Sequence, residues 1–383
     1  MRVGLVTGEY PPAQGGVGDF TRELGRALTE LGHQVHVITG KAQTPDPRPW
    51  GSGVTVRRVV EAWGWGCWGQ VLALAGELGL DVLNLQYQAA AYRMHPAVNF
   101  VPRRQGRPPV VVTFHDLKVP YLFPKAGPLR WQVVRMLAHR ADGVIATNRE
   151  DYLRLEGQIP PARLSLIPIG SNIPSAPPPG YDRDAERARW GVGPGDLLLG
   201  YFGFLNESKG GEGLIRALGL LVERGTPTHL WMIGGRVGSS DPTNQAYAQR
   251  VENLIAELGL GDWVHWTGYT CPEEVSAALL ATDMCVLPYR DGVSFRRGTL
   301  HACLVHGRAI VTTRPQVPLP EVRDGDTMLL VEPRDPDGLA EAVMRLAADP
   351  VLRTRLEAGA TALAAEFTWE RIARQTVAFF RRL

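Results

Sequence analysis

Cysteine is scarce and scattered. The 383 residues hold four, Cys67, Cys271, Cys285 and Cys303, with no C-x-x-C pair. That pattern argues against a zinc site or a disulfide framework and fits a reducing cytoplasm. No stretch approaches the ~20 consecutive apolar residues that a membrane-spanning helix needs. The opening MRVGLVTGEYPP has one basic residue, a strand-like run and a turn. It lacks the charged start and apolar middle of a secretory signal. A long basic stripe, zinc-finger spacing and RNA-binding motifs are also missing, so nucleic acid is not an expected partner.

What is there is a soluble globular composition, with 44% hydrophobic and 21% charged residues. The length favours two domains over one core. The net charge of +2 hides an asymmetry. Residues 1–165 hold 19 Lys+Arg against 13 Asp+Glu, and the remainder holds 22 against 26. A basic half beside an acidic half favours anionic partners on one side.

The chain alternates strand and helix patterns. Val3 to Val6 read as a strand, and the glycine-rich PPAQGGVGD follows. Phe20, Leu24, Ala27, Leu28 and Leu31 then recur at helical spacing until Gly32, and QVHVIT is the next strand. Further strand-like runs are DVLNLQ, PVVVTF, GVIAT and LSLIPI. The proline-rich GSNIPSAPPPGYDRD breaks the pattern. It then restarts with DLLLGYFGF, THLWMIGG, WVHWTG, MCVLPY and AIVTT, with helical segments at 211–224 and 245–258. Such alternation predicts an α/β protein with two doubly wound parallel sheets. The expected divisions are 1–172, a linker at 173–195, a second domain at 196–366 and a final amphipathic helix at 367–383, with Thr368 as its N-cap.

In open α/β sheets, ligands bind beyond the carboxyl ends of the strands. Five stretches therefore stand out. Gly15-Gly16, before a helix, allow backbone N–H groups to approach an oxygen-rich ligand, or serve only a tight turn. In GFLNESKGG, residues 203–211, Lys209 stands at the mouth of a helix, where it suits a phosphate. In DGVSFRRGTLHACLVHG, residues 291–307, Arg296 and Arg297 follow a strand and need an anion. Bidentate contact with a diphosphate is one reading, and a surface salt bridge the other. His115 and Asp116 end the strand VVVTFHD, as a hydroxyl-orienting or proton-transferring pair, or as a satisfied histidine and a helix cap. Segment 117–141 carries Lys118, Lys125, Arg130, Arg135 and Arg140 with no acid, interleaved with Tyr121, Phe123 and Trp131. It is a candidate for peripheral membrane contact, or ordinary solvated charge over a packed helix. Trp63, Trp65 and Trp68 read as packing more than as a sugar platform.

These pieces together resemble the large retaining family of GT-B glycosyltransferases that includes sucrose-phosphate synthases and bacterial mannosyltransferases. GEYPPAQGGVGDFTRELGRALTELGHQVHVITG is similar to the family's opening. VVVTFHD, ADGVIATN, LSLIPIGSN, GFLNESKGG, WMIGG, VHWTGYTCPEEVSAALLATDMCVLP, HGRAIVTT, LPEVRDGDTMLLVEPRD and FTWERIA follow in the family's order. The resemblance implies two Rossmann-like domains with a deep cleft between them and a last helix crossing back to the N-terminal domain. It implies a nucleoside-diphosphate sugar as donor, a saccharide, lipid-linked or small-molecule acceptor, retention of anomeric configuration, and no metal. Localisation would be cytoplasmic, including the inner face of the membrane. Lys209 falls on the family's phosphate lysine, Gly15 and Gly16 on its glycine loop, and His115 on the histidine near the reacting sugar. Gly268, Tyr269 and Thr270 fall where backbone meets the nucleobase. Gly203, Ser294, Gly298 and Thr299 complete the expected donor side. Gln86, Tyr87, His115 and Asp116 form the expected acceptor side.

Two departures bear on the site. The family's arginine just after the first strand of its second domain is replaced by Phe204. Its two glutamates, separated by seven residues, align with Ser294 and Ala302, although Asp291 is an alternative stand-in for the first. The second glutamate holds ribose hydroxyls, which Ala302 cannot do. Loss of one arginine and gain of Arg296 and Arg297 read as a single exchange, with the phosphate charge moved to another loop. Catalysis is then expected of His115, Lys209 and Arg297. The competing readings are a nucleotide-sugar epimerase on the same fold and a non-catalytic sugar-nucleotide or glycan-binding relative.

Overall fold

The computed structural model describes residues 1–13, 15–41, 53–117, 127, 129–236 and 242–383. The chain divides into two units, one of Met1–Asn172 with Phe367–Leu383 and one of Ile173–Glu366.

In the first unit the elements are β1 (Arg2–Thr7), α1 (Gly16–Glu30), β2 (Gln34–Gly40), β3 (Val54–Val60), α2 (Cys67–Glu77), β4 (Val82–Tyr87), β5 (Val110–Phe114), α3 (Leu129–Arg140), β6 (Gly143–Ala146), α4 (Arg149–Leu155) and β7 (Leu164–Leu166). The strands form one parallel sheet in the order β3-β2-β1-β4-β5-β6-β7. β4 and β5 are buried along their whole length, as strands covered on both faces must be. One face packs Trp68, Val71 and Leu137 over Leu83, Leu85 and Val112. The other packs Phe20, Leu24 and Leu28 of α1 over Val3, Leu5 and Val37. Gly32 ends the α1 segment in the left-handed region (φ 82°), where a side chain is strained.

The C-terminal helix, α12 (Trp369–Phe380), belongs to this unit. The Thr368 hydroxyl caps it by accepting from the Arg371 N–H, and Ile372, Ala373, Val377, Phe379 and Phe380 join the α1 face of the core. A Cβ on Gly143 would lie 2.8 Å from the Phe379 ring, so β6 admits this helix only without a side chain there.

The second unit contains α5 (Arg183–Ala188), β8 (Leu197–Phe202), α6 (Gly211–Glu223), β9 (Thr228–Ile233), α7 (Pro242–Glu257), β10 (Val264–Gly268), α8 (Pro272–Ala281), β11 (Met284–Leu287), α9 (Gly298–Val305), β12 (Ile310–Thr313), β13 (Leu329–Val331), α10 (Pro336–Ala348) and α11 (Pro350–Ala364). Its parallel sheet runs β10-β9-β8-β11-β12-β13. Leu199, Tyr201, Leu214, Leu218, Val286 and Val343 share its core. The stretch read as a linker contributes α5 to this unit. Asp182 caps α5, and the buried Arg187 bonds to Asp283 Oδ2 (3.1 Å) and to the carbonyls of Asp196 (2.7 Å) and Ala281 (3.2 Å). Both sheets are doubly wound, with their order reversing beside the first strand of each unit, at β1/β4 and at β8/β11.

Candidate active site

The second unit gathers its charge where β8 and β11 end. β8 leaves the sheet through Gly203 (φ 110°). A Cβ there would lie 2.5 Å from Thr299 Cγ2 and 2.9 Å from Lys209 Nζ, so glycine is what lets these side chains converge. Asn206 caps the short turn Glu207–Lys209, its side-chain oxygen accepting from the Lys209 N–H (3.2 Å). Gly210, in the left-handed region, opens α6, and a side chain on it would strike the Pro288 carbonyl at 1.9 Å. Lys209 is thereby fixed beside the exit of β11. Burial and the neighbouring Arg297 guanidinium push its pKa down to about 7.

The β11 exit supplies the arginines. Arg296 donates to Asp291 Oδ2 (2.5 Å) and Arg297 to Asp291 Oδ1 (2.7 Å), so one carboxylate is clasped by two guanidiniums. Their side chains are only 5% and 11% exposed. This is the anion that the sequence RR called for, and it is internal. Arg297 also donates to Ser208 Oγ at 3.2 and 3.3 Å and lies over the Tyr289 ring, 4.9 Å from its centroid. The Tyr289 hydroxyl in turn meets Thr299 Oγ1 at 2.9 Å. The Arg297 Nε–H is buried and has no hydrogen-bond partner among the described residues. Two guanidiniums thus share one carboxylate, and the charge of one of them, Arg297, acts on Lys209. Among the described residues no group of three or more His, Cys, Asp or Glu is placed to hold a metal ion.

The other donor-side candidates distribute unevenly. Arg297 is the N-cap of α9, whose first residue, Gly298, faces open space where a Cβ would be. Ser294 serves a turn, its carbonyl accepting from the Arg297 N–H (3.2 Å). Ala302 is fully buried, and its carbonyl accepts from the ring of His306. His301 is equally buried, its Nε2 bonded to the Phe295 carbonyl (2.8 Å), and burial takes its pKa down to about 4. Phe204 takes no part in the charge cluster: its ring lies 3.0 Å from where a Gly235 Cβ would be. Gly268 (φ 71°) ends β10, and Tyr269, 64% exposed, and Thr270 follow it.

The first unit is built differently. At the end of β1 the Glu9 carboxylate turns back onto α1, accepting from the N–H of Val17 (3.0 Å) and Gly18 (3.4 Å). A Cβ on Gly15 would lie 2.2 Å from its Oε1, while Gly16 faces open space. The helix terminus expected to meet ligand oxygens through Gly15 is met by the chain's own acid. Burial raises the Glu9 pKa, opposed by the two N–H donors. An acidic residue before a helix start is a stabilising pattern, and it was the available signal.

His115 follows β5, half-buried, with the Phe20 ring edge-on at 4.6 Å between centroids. Burial pushes its pKa down to about 3, so the imidazole is neutral. Its Nε2 meets Gln86 Oε1 at 3.0 Å. Gln86 and Tyr87, expected on the acceptor side, are both 0% exposed with their polar ends occupied. Gln86 bonds Asn84 and His115, and the Tyr87 hydroxyl bonds Asn99. Asp116 is half-buried near Asp151, whose pKa is raised to about 6 by burial and by the Asp116 charge.

Of the basic segment, Lys118, Tyr121, Phe123 and Lys125 lie outside the described residues. The described part, α3, buries Val134, Leu137 and Ala138, and Trp131 sits under the Arg154 guanidinium (5.8 Å). A packed helix accounts for this part. No described helix is long and apolar enough to cross a membrane. Trp63 and Trp68 are buried in the core, and Trp65, 69% exposed, meets Phe100 edge-on.

Comparison with known proteins places both units. Residues 14–173 match the family described as Glycosyltransferase Family 4, and residues 196–349 match Glycosyl transferases group 1. A D-inositol 3-phosphate glycosyltransferase from Corynebacterium urealyticum is 30% identical over 226 residues, covering 58% of this chain and about half (52%) of that protein. The enzyme of that name from Thermomonospora curvata is 26% identical over 93% of this chain and 88% of its own length. Among solved structures, sucrose-phosphate synthase from Thermosynechococcus elongatus superposes with a TM-score of 0.77 at 24% identity, covering 100% of this chain and 98% of that one. Anabaena Alr3699/HepE, solved in complex with UDP and glucose, gives 0.78 at 18% identity with both chains fully covered. With two matched domains in series and this fold, the chain belongs to the GT-B family of glycosyltransferases.

Proposed function

We propose that the protein transfers a sugar from a nucleoside-diphosphate sugar to a hydroxyl of a saccharide, lipid-linked or small-molecule acceptor, with retention of anomeric configuration. The observation that carries this is the cationic cluster at the β8 and β11 ends, where Arg296 and Arg297 share Asp291 and Arg297 neighbours Lys209. Breaking a sugar–phosphate bond builds negative charge on the departing diphosphate, and preorganised cations stabilise that charge without reorganising. Lys209 and Arg297 would carry this role, Arg297 through its unpartnered Nε–H. Gly298 and Thr299 at the start of α9 add backbone donors. Tyr269, exposed after β10, would lie along the nucleobase. No metal is required in this reading, because side-chain cations supply the charge. On the first unit, neutral His115 would accept a sugar hydroxyl.

UDP is the first nucleotide to try, since a structural neighbour binds it. The test is a thermal-shift screen, without added metal, against nucleoside diphosphates and their sugars. Selective stabilisation by one nucleotide, lost in Lys209→Ala and Arg297→Ala, is expected. Product analysis by NMR should then show the donor's anomeric configuration kept. Stabilisation by no nucleotide would overturn the donor assignment.

A further inference from the structure

A run of buried amides leads from the middle of the first sheet to His115. On β4, Asn84 and Gln86 are two residues apart and so lie on one face, as do Thr113 and His115 on β5 and its exit. The strand register pairs Asn84 with Val111 and Gln86 with Thr113. Asn84, Gln86 and Thr113 are all buried. Asn84 Nδ2 donates to the Val111 carbonyl (3.2 Å) and to Thr113 Oγ1 (2.9 Å). Gln86 Nε2 donates to Asn84 Oδ1 (2.5 Å). His115 Nε2 sits 3.0 Å from Gln86 Oε1.

The direction of every bond in this run follows from its first member. A backbone carbonyl only accepts, so the Asn84 group facing Val111 must be the NH2. Asn84 then presents its oxygen to Gln86, which must answer with its own NH2. Gln86 is left presenting oxygen to the imidazole, so the imidazole must donate. We infer that Asn84 and Gln86 are positioning residues that lock His115 in the Nε2–H tautomer, leaving Nδ1 as a hydrogen-bond acceptor for a sugar hydroxyl. Among the described residues none donates to Nδ1. A neutral histidine held by its second nitrogen has a defined role at the first. Here that role is to accept an O–H, and it excludes donation to a phosphate or a carbonyl.

The ligand half of this inference rests on the transferase reading; the tautomer half does not. The experiment is a long-range proton–nitrogen correlation spectrum of protein labelled with 15N-histidine. His115 is assigned among the nine histidines by its loss in His115→Gln. The expected result is a pyrrole-type signal at Nε2 and a pyridine-type signal at Nδ1. Gln86→Leu should mix the two tautomers and raise the KM for the sugar substrate roughly tenfold, the size of one lost hydrogen bond. Thr113→Val keeps the Val111 anchor and should leave the tautomer unchanged, although it alters the same core. A pyrrole-type Nδ1 in the native protein, or an unmoved tautomer in Gln86→Leu, would overturn the inference. The expected tautomer without any sugar transfer would defeat the function and leave the lock standing. Transfer with a protonated Nδ1 would defeat the lock alone.

Discussion

The two sheets end in chemically opposite ways. Each has a strand, a glycine-bearing loop and a helix start at the point where its strand order reverses. In the second unit that loop delivers Lys209 toward two arginines that share one carboxylate. In the first, the helix start is covered by Glu9, and the nearby imidazole is kept neutral. One end retains surplus positive charge; the other has its charge neutralised and offers uncharged hydrogen-bonding groups. The proposed function assigns a diphosphate to the one end and a polyol to the other. The side chain laid over the loop, not the loop itself, makes the difference.

The largest effect should come from removing the surplus. Arg297→Ala and Lys209→Ala should each lower kcat by roughly 10²–10³-fold, the scale of one lost electrostatic contact to the transition state. Circular dichroism should show Arg297→Ala folded. Near-native turnover in both would erase the proposed contrast between the units. Next, Asp291→Ala should destabilise the protein by about 3 kcal/mol in urea unfolding, because two buried guanidiniums lose their shared counter-charge. A change below about 1 kcal/mol, the range of an exposed pair, would show that the cluster is solvated.

The comparison sharpens with pH. Lys209 titrates at about 7 without ligand, and a bound diphosphate would raise that value. Binding a nucleotide sugar, whose diphosphate diester does not titrate here, should then take up a proton above that pH. Affinity should hold below pH 7 and fall as pH rises through it, and Lys209→Arg should abolish the slope. Calorimetry in buffers of different ionisation enthalpy measures the uptake directly. The smallest effect belongs to Glu9. Its raised pKa means that ionisation weighs on the folded state, so its contribution is present in acid and lost as pH rises through the folded value. Glu9→Gln should stay within about 1 kcal/mol of native, with Gln gaining relative to Glu from pH 4 to pH 7 in thermal melts.

The alternation of elements could be read from periodicity, because strands buried on both faces leave long apolar runs. The placement of Lys209 and Arg297 after strands could be read because each follows an apolar strand-like run and stands beside a glycine. Asp291 as the shared partner of Arg296 and Arg297 depends on the turn at Gly292 (φ 76°), which packs under the Arg314 carbonyl, and no spacing rule encodes that closure. The burial of Gln86 could not be read for a related reason. A polar residue at a strand's end looks ligand-facing until the sheet shows that its amide points into the interior. In the proline-rich stretch the helix α5 was hidden, because its stability comes from Arg187 reaching Asp283 across 96 positions of sequence.

Residues 367–383 complete the unit that residues 1–172 begin. On the ribosome, the apolar stripe of Phe20, Leu24 and Leu28 emerges early and waits through the synthesis of the 343 residues that separate Leu28 from Ile372 before Ile372, Val377 and Phe380 arrive to cover it. Domains generally fold as they emerge, N-terminal first, and exposed apolar surface invites aggregation meanwhile. This protein reverses that order of completion: the half made first is the half that closes last, and a nascent chain stopped short of Trp369 would carry an open core.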